Sequence, residues 1–153
     1  MANTYTQIYI HYVFVVKGRD TLIKESFREE LQKYMTGIIK NNQHLCFAIY
    51  CMPDYTHVLV GLNPNQSVSD LARDLKANSS KWMNEKKFLK NKFGWQIGFG
   101  DFSYAQSQVQ RVVNYINNQP EHHRKTTFRE EYIDFLSKFK IYYKEEYLFE
   151  FLD

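Results

Sequence analysis

A chain of 153 residues with 44% apolar and 24% charged side chains is long enough to bury one core, and its balance excludes a disordered or fibrous class. Its net charge of +3 permits nucleic-acid binding without demanding it, so what matters is where the cations cluster. Two cysteines, Cys46 and Cys51, with no CxxC pair argue against a structural zinc site and a disulfide framework, and lead us to expect a reduced, cytoplasmic protein.

The run "IYIHYVFVV", residues 8–16, is β-branched and aromatic throughout. It predicts a strand buried on both faces, and it is too short to span a bilayer, so no membrane segment is expected. "KGRD" ends it. A helix is predicted from Ser26, with Glu29 in capping-box position and Phe27, Leu31, Tyr34, Met35, Ile38 and Ile39 at helical spacing. Cys46–Tyr50 and His57–Leu62 read as short strands around a Pro53-Asp54 turn, the two cysteines on opposite faces if one strand carries both. A second helix follows from Ser67, burying Val68, Leu71, Ala72, Leu75 and Trp82. Ile97–Tyr104 reads as a last strand weakened by two glycines, with helices over Ser107–Gln119 and Thr127–Phe139. No repeat or linker interrupts the order β-α-β-β-α-β. It predicts one α+β domain over residues 1–153 of ferredoxin-like type: an antiparallel sheet with helices on one face, plus C-terminal helices.

Three stretches carry candidate chemistry. In "SQVQRVVNYINNQPEHHRK", Val109, Val112, Val113 and Ile116 form an apolar stripe. Tyr115 lies about 110° from its centre and Gln119 about 70° on the same flank, an (i, i+4) pair. Spacing leaves two readings: a tyrosine at the edge of the core, or a presented nucleophile with an amide beside it. In "CMPDYTHVLVGL", Tyr55 and His57 sit two apart and so share one face of a strand. "KWMNEKKFLKNKFGW" interleaves Lys81, Lys86, Lys87, Lys90 and Lys92 with Trp82, Phe88, Phe93 and Trp95. Cations for phosphates and rings for unpaired bases make a single-strand binding pattern; the plainer reading is core aromatics and a solvated lysine loop. Lys17 and Arg19 are candidates to join that surface. Finally, His122 and His123 diverge by about 100° on a helix, and with Arg124 and Lys125 they read as a basic patch rather than a metal pair. His11 and His44 read as structural or exposed, His11 being the better placed to approach the site.

Three segments, "MPDYTHVLVGL", "FSYAQSQ" leading into the third helix, and "VVNYINNQ", stand in an order that resembles the HUH single-tyrosine transposases of the IS200-like insertion-sequence family. The likeness runs over nearly the whole chain. It implies cutting and rejoining of single-stranded DNA, with Tyr115 as nucleophile forming a 5′-phosphotyrosine bond and freeing a 3′-hydroxyl. It implies a divalent metal, Mg²⁺ or Mn²⁺, with His57 and Gln119 as ligands. It also implies hairpin substrates at element ends and a homodimer with shared active sites. One position departs from the family. Where its two histidines fall at 55 and 57, this chain has Tyr55, an altered ligand position. Three readings stand open: a silenced relative acting as a single-stranded nucleic-acid-binding module, a site rescued by Tyr55, Asp54 or His11, or a substitution in an otherwise active enzyme.

Overall fold

The computed structural model describes residues 4–18 and 21–151. Strand β1 (Tyr9–Val15) is followed by α1 (Glu25–Asn41), β2 (Leu45–Cys51), β3 (Tyr55–Gly61), α2 (Val68–Lys86) and β4 (Gly100–Tyr104). Helices α3 (Val109–Asn117), α4 (Gln119–His123) and α5 (Phe128–Lys138) follow, and a 3₁₀ turn at Glu145–Tyr147 comes after them. The strands form one antiparallel sheet in the order β2-β3-β1-β4. That order puts β1 in the interior, paired with β3 on one side and β4 on the other. A central strand is covered on both faces, which is why its sequence is apolar without alternation.

The two crossover helices cover one face: Ile10, Tyr12, Phe14, Val58 and Val60 meet Leu31 and Met35 of α1 and Leu71 and Leu75 of α2. The C-terminal helices cover the other. There Val13, Val15, Tyr55 and Phe102 pack on Phe128 and Tyr132, while Ala48 and Leu59 pack on Val112 and Ile116. The architecture is the α+β sheet that the element order predicts. Among the described residues no helix is long and apolar enough to cross a membrane.

Four local expectations change. Helix α1 starts at Glu25 behind Lys24, with no side-chain cap, so Ser26 lies in the first turn and its capping box does not form. The entry is set instead by Ile23, which is buried and donates its N–H to Pro53 O at 2.8 Å. In β2 a bulge between Cys46 and Ala48 inserts Phe47 and reverses the alternation. Cys46 and Cys51 therefore face the same helical layer rather than opposite ones, both as free thiols. Strand β4 begins only at Gly100, because Gly98 at φ +87° takes the chain out of the extended region. Lastly, Ser107–Gln119 is not one helix. A 3₁₀ turn precedes α3, and the backbone breaks at Asn118 (φ −104°, ψ 22°) before α4. Pro120, in the first turn of α4, has no N–H to continue the α3 ladder.

Helix α5 is well anchored at its start. Glu130 N donates to Thr127 Oγ1 at 3.2 Å and Thr127 N to Glu130 Oε1 at 3.2 Å, a reciprocal capping box. His44 is structural: Asn63 N donates to its Nδ1 at 2.7 Å and its Nε2 meets Gln66 Oε1 at 2.7 Å.

Candidate active site under the C-terminal helices

The β1–β3 register sets His57 opposite Val13 and Tyr55 opposite Val15. Both side chains point to the face covered by α3, α4 and α5 and are fully buried there. His57 is held at both ring nitrogens. Its Nδ1 lies 2.7 Å from His11 Nε2, and its Nε2 lies 2.9 Å from Glu131 Oε1. His11 Nδ1 in turn meets the Tyr104 hydroxyl at 3.3 Å.

Glu131, from α5, is the centre of the arrangement, with its side chain 3% exposed. Its Oε2 accepts the Tyr115 hydroxyl, lies 3.4 Å from Gln119 Nε2, and lies 3.4 Å from His122 Nε2. An ionised carboxylate only accepts hydrogen bonds, so His57 Nε2–H donates to Glu131. The His11–His57 and Tyr104–His11 links join groups that can each donate or accept. Burial, reinforced by His57, holds the His11 pKa well below its ordinary value.

The electrostatics are mutual. Burial alone pushes the Glu131 carboxyl up, but His57 beside it and the Tyr115 hydroxyl outweigh that and hold it below the usual carboxylate range. Burial, then the charge of Glu131, push the Tyr115 phenol far above its ordinary value. Tyr115 is nonetheless half-buried rather than sealed. With Arg111, His122, Glu131 and Phe135 it lines a cleft of about 670 Å³ between α3 and α5.

Tyr55 has a different role from a second imidazole. Its hydroxyl donates to Gln119 Oε1 at 3.0 Å and meets His123 Nδ1 at 3.2 Å, and its ring stacks on Phe128 at 4.1 Å. Gln119 and Tyr115 meet across the break between α3 and α4, the Gln119 Nε2 lying 3.4 Å from Tyr115 O. His122 and His123 diverge as a helix requires, but they turn inward, to Glu131 and to Tyr55, instead of forming a surface patch. Arg124 and Lys125 are exposed, Arg124 pairing with the exposed Glu121 at 3.5 Å.

The lysine–aromatic segment divides into its two halves. Lys81, Lys86, Lys87, Lys90 and Lys92 are exposed. The rings belong to the packing: Trp82 stacks on Tyr34 at 4.7 Å, Phe88 stacks on Phe27 at 4.8 Å, and Phe93 and Trp95 are buried. The segment lies on the α1–α2 side of the sheet, opposite Tyr115. Lys17 is exposed; Arg19 lies outside the described residues.

Sequence reading had no role for Glu131, Arg111 or Tyr104. Glu131 did leave a trace, a charge on the same helical face as Phe128, Tyr132 and Phe135, where an unpaired carboxylate has no place. Among the described residues no group of three or more His, Cys, Asp or Glu side chains is disposed to hold a metal ion. What the site offers around the buried Glu131 carboxylate is the His57 imidazole, the Gln119 amide and, at its rim, the His122 imidazole. Nitrogen and oxygen donors of this kind fit Mg²⁺ or Mn²⁺.

Residues 4–119 match the family model described as "Transposase IS200 like". No curated protein matches the chain by sequence. Among solved structures, it resembles a chain from Deinococcus radiodurans R1 provisionally called a transposase, with TM-score 0.62 and 21% identity over 78% of this chain and 95% of that one. It also resembles a REP-associated tyrosine transposase bound to a REP hairpin, with TM-score 0.60 and 15% identity over 100% of this chain and 93% of that one. At these identities the two likenesses establish a shared fold.

Proposed function

The chain belongs to the IS200-like transposase family, and we propose that it cuts and rejoins single-stranded DNA with Tyr115 as the nucleophile. The observation that carries this reading is the convergence of the Tyr115 hydroxyl, the His57 ring and the Gln119 amide on one buried carboxylate. Such a cluster places a nucleophile beside a proton acceptor and opens onto a cleft.

In the proposed reaction Tyr115 Oη attacks the scissile phosphorus. The phenolic proton passes to Glu131 Oε2, against which the O–H already lies. The P–O bond to the 3′ oxygen breaks, that oxygen takes up a proton, and the DNA 5′ end stays joined to Tyr115 as a phosphodiester. Reversal with a new 3′-hydroxyl rejoins the strand. Arg111, exposed at the cleft, is placed to meet a backbone phosphate. A divalent cation, Mg²⁺ or Mn²⁺, would neutralise charge on the phosphate oxygens when bound, and His57 Nε2 and Gln119 are residues that would hold it. Tyr55 keeps Gln119 in place through its hydroxyl.

For the substrate we propose a single-stranded hairpin, a reading supported by the REP hairpin in the complex of similar fold. Lys81, Lys86, Lys87, Lys90, Lys92, Arg124 and Lys125 are the exposed cations for its phosphates. Trp82, its ring committed to Tyr34, supports that surface from beneath. A homodimer remains part of the proposal, but His57, Gln119 and Tyr115 of one chain already meet, so chemistry within a single chain is the simpler arrangement.

The test is a covalent-adduct assay on a pool of single-stranded hairpins with Mn²⁺. We expect an adduct with the unaltered protein and none with Tyr115→Phe. Binding with no adduct in any lane would favour the second reading, a nucleic-acid-binding module. That reading draws on Tyr55 at the altered ligand position and on the strongly raised pKa of Tyr115.

A further inference from the structure

We propose that Glu131 supplies the metal ligand that position 55 lacks, so that a divalent cation is held by His57 from β3, Glu131 from α5 and Gln119 from α4. The inference rests on the site described under the proposed function, but it concerns a residue beyond the 4–119 match to the family.

Three observations carry it. First, Tyr55 is occupied elsewhere: its hydroxyl bonds Gln119 and His123, and its ring is stacked on Phe128. Second, Glu131 Oε1 faces the nitrogen of His57 that a metal would use, at 2.9 Å, a separation ordinary for two donors sharing one ion. Third, the site as built repels its own substrate. A buried carboxylate next to Tyr115 disfavours an approaching phosphodiester, and a cation bound at that carboxylate removes the conflict.

The surroundings suit the role. A ligating histidine needs its second nitrogen held by a partner that fixes the ring. His57 Nδ1 has one in His11, backed by Tyr104. Every link of that chain, imidazole, imidazole and phenol, can act as donor or acceptor. The chain can therefore reverse, freeing the lone pair of His57 Nε2 without any ring moving. The amide of Gln119 has the same freedom: turned end for end, it sets oxygen toward the Glu131 side and N–H toward the Tyr55 oxygen.

The experiment is Mn²⁺ titration of the full-length protein without DNA, following free Mn²⁺ by electron paramagnetic resonance. The unaltered chain is compared with Glu131→Gln, Glu131→Asp, Tyr55→His/Glu131→Gln and the surface control Glu30→Gln, exposed on α1 across the sheet. We expect Glu131→Gln to bind at least about tenfold more weakly, since even outer partners of a ligand have effects of that size. The double variant should recover affinity, and Glu30→Gln should match the unaltered protein. If Glu131→Gln fails to fold, Glu131→Asp carries the test, because it keeps the charge but withdraws the oxygens and should also weaken binding. Unchanged Mn²⁺ affinity in the folded Glu131 variants would overturn the proposal. A Tyr115 adduct that forms while no variant, nor the unaltered chain, binds Mn²⁺ would overturn this ligand set and leave the nucleophile standing. Mn²⁺ binding that needs Glu131, without any adduct, would do the reverse.

Discussion

Tyr115 and Glu131 hold one proton between them, and each is tuned by the other. The carboxyl is held down in the folded chain, so it contributes stability that is fully present above the unfolded carboxyl pKa, whose ordinary value is 4.5. That contribution is lost as pH falls through the lower folded value. Glu131→Gln removes a buried acceptor, and we expect it to cost about 1–3 kcal/mol at neutral pH. In metal-free denaturant titrations the gap between the variant and the unaltered chain should narrow below about pH 4.5. A gap that stays constant into acid would mean that Glu131 is not ionised in the folded protein. The pair also shows what residue-level reading can reach. Tyr115, His57 and Gln119 were legible because a recognisable run of letters surrounds each. Glu131 was not, since its meaning depends on contacts with residues 16 and 74 positions away.

At the scale of elements, the site is only as good as the seating of α5. Gly100 matters here because a Cβ at that position would come within 2.7 Å of both the hydroxyl and Cε1 of Tyr132, the neighbour of Glu131. We expect Gly100→Ala to destabilise the fold by about 1–3 kcal/mol and to depress adduct formation with it. Gly37→Ala, which meets nothing within 4 Å inside α1, should instead stabilise by about 0.5–1 kcal/mol. Equal melting temperatures for the two variants would contradict this account. Element order was readable from hydrophobic period alone, because strands and long helices each bury a regular stripe. The break at Asn118 was also written in the chain, in Pro120, but the (i, i+4) spacing of Tyr115 and Gln119 masked it. The bulge at Phe47 left no comparable sign: it depends on pairing with β3, which no local pattern encodes.

For the molecule as a whole, the sheet separates two surfaces. Tyr115 and its partners lie on one side, and most of the exposed lysines of residues 81–92 lie on the other. Under the proposed function a strand bound to both would pass around a sheet edge, so the lysines and Tyr115 would contact different parts of one DNA. The site itself is assembled within one chain. Mixing Tyr115→Phe with His57→Ala should therefore restore no cleavage, since neither chain brings a complete set. Recovered activity in the mixture would show that subunits exchange site residues.

Helix α4 has five residues and α5 eleven, both shorter than the roughly 12–15 at which an isolated helix becomes even marginal in water. They persist because they are docked, whereas β1 and β3 are secured from both flanks. The candidate site therefore takes its order from docking: Glu131 and Gln119 stand beside His57 only while α4 and α5 are packed on the sheet. If that docking is lost before the sheet is, the backbone amides of α4 and α5 should exchange ahead of those of β1 and β3 in hydrogen-exchange measurements, and the site would fail before the fold does.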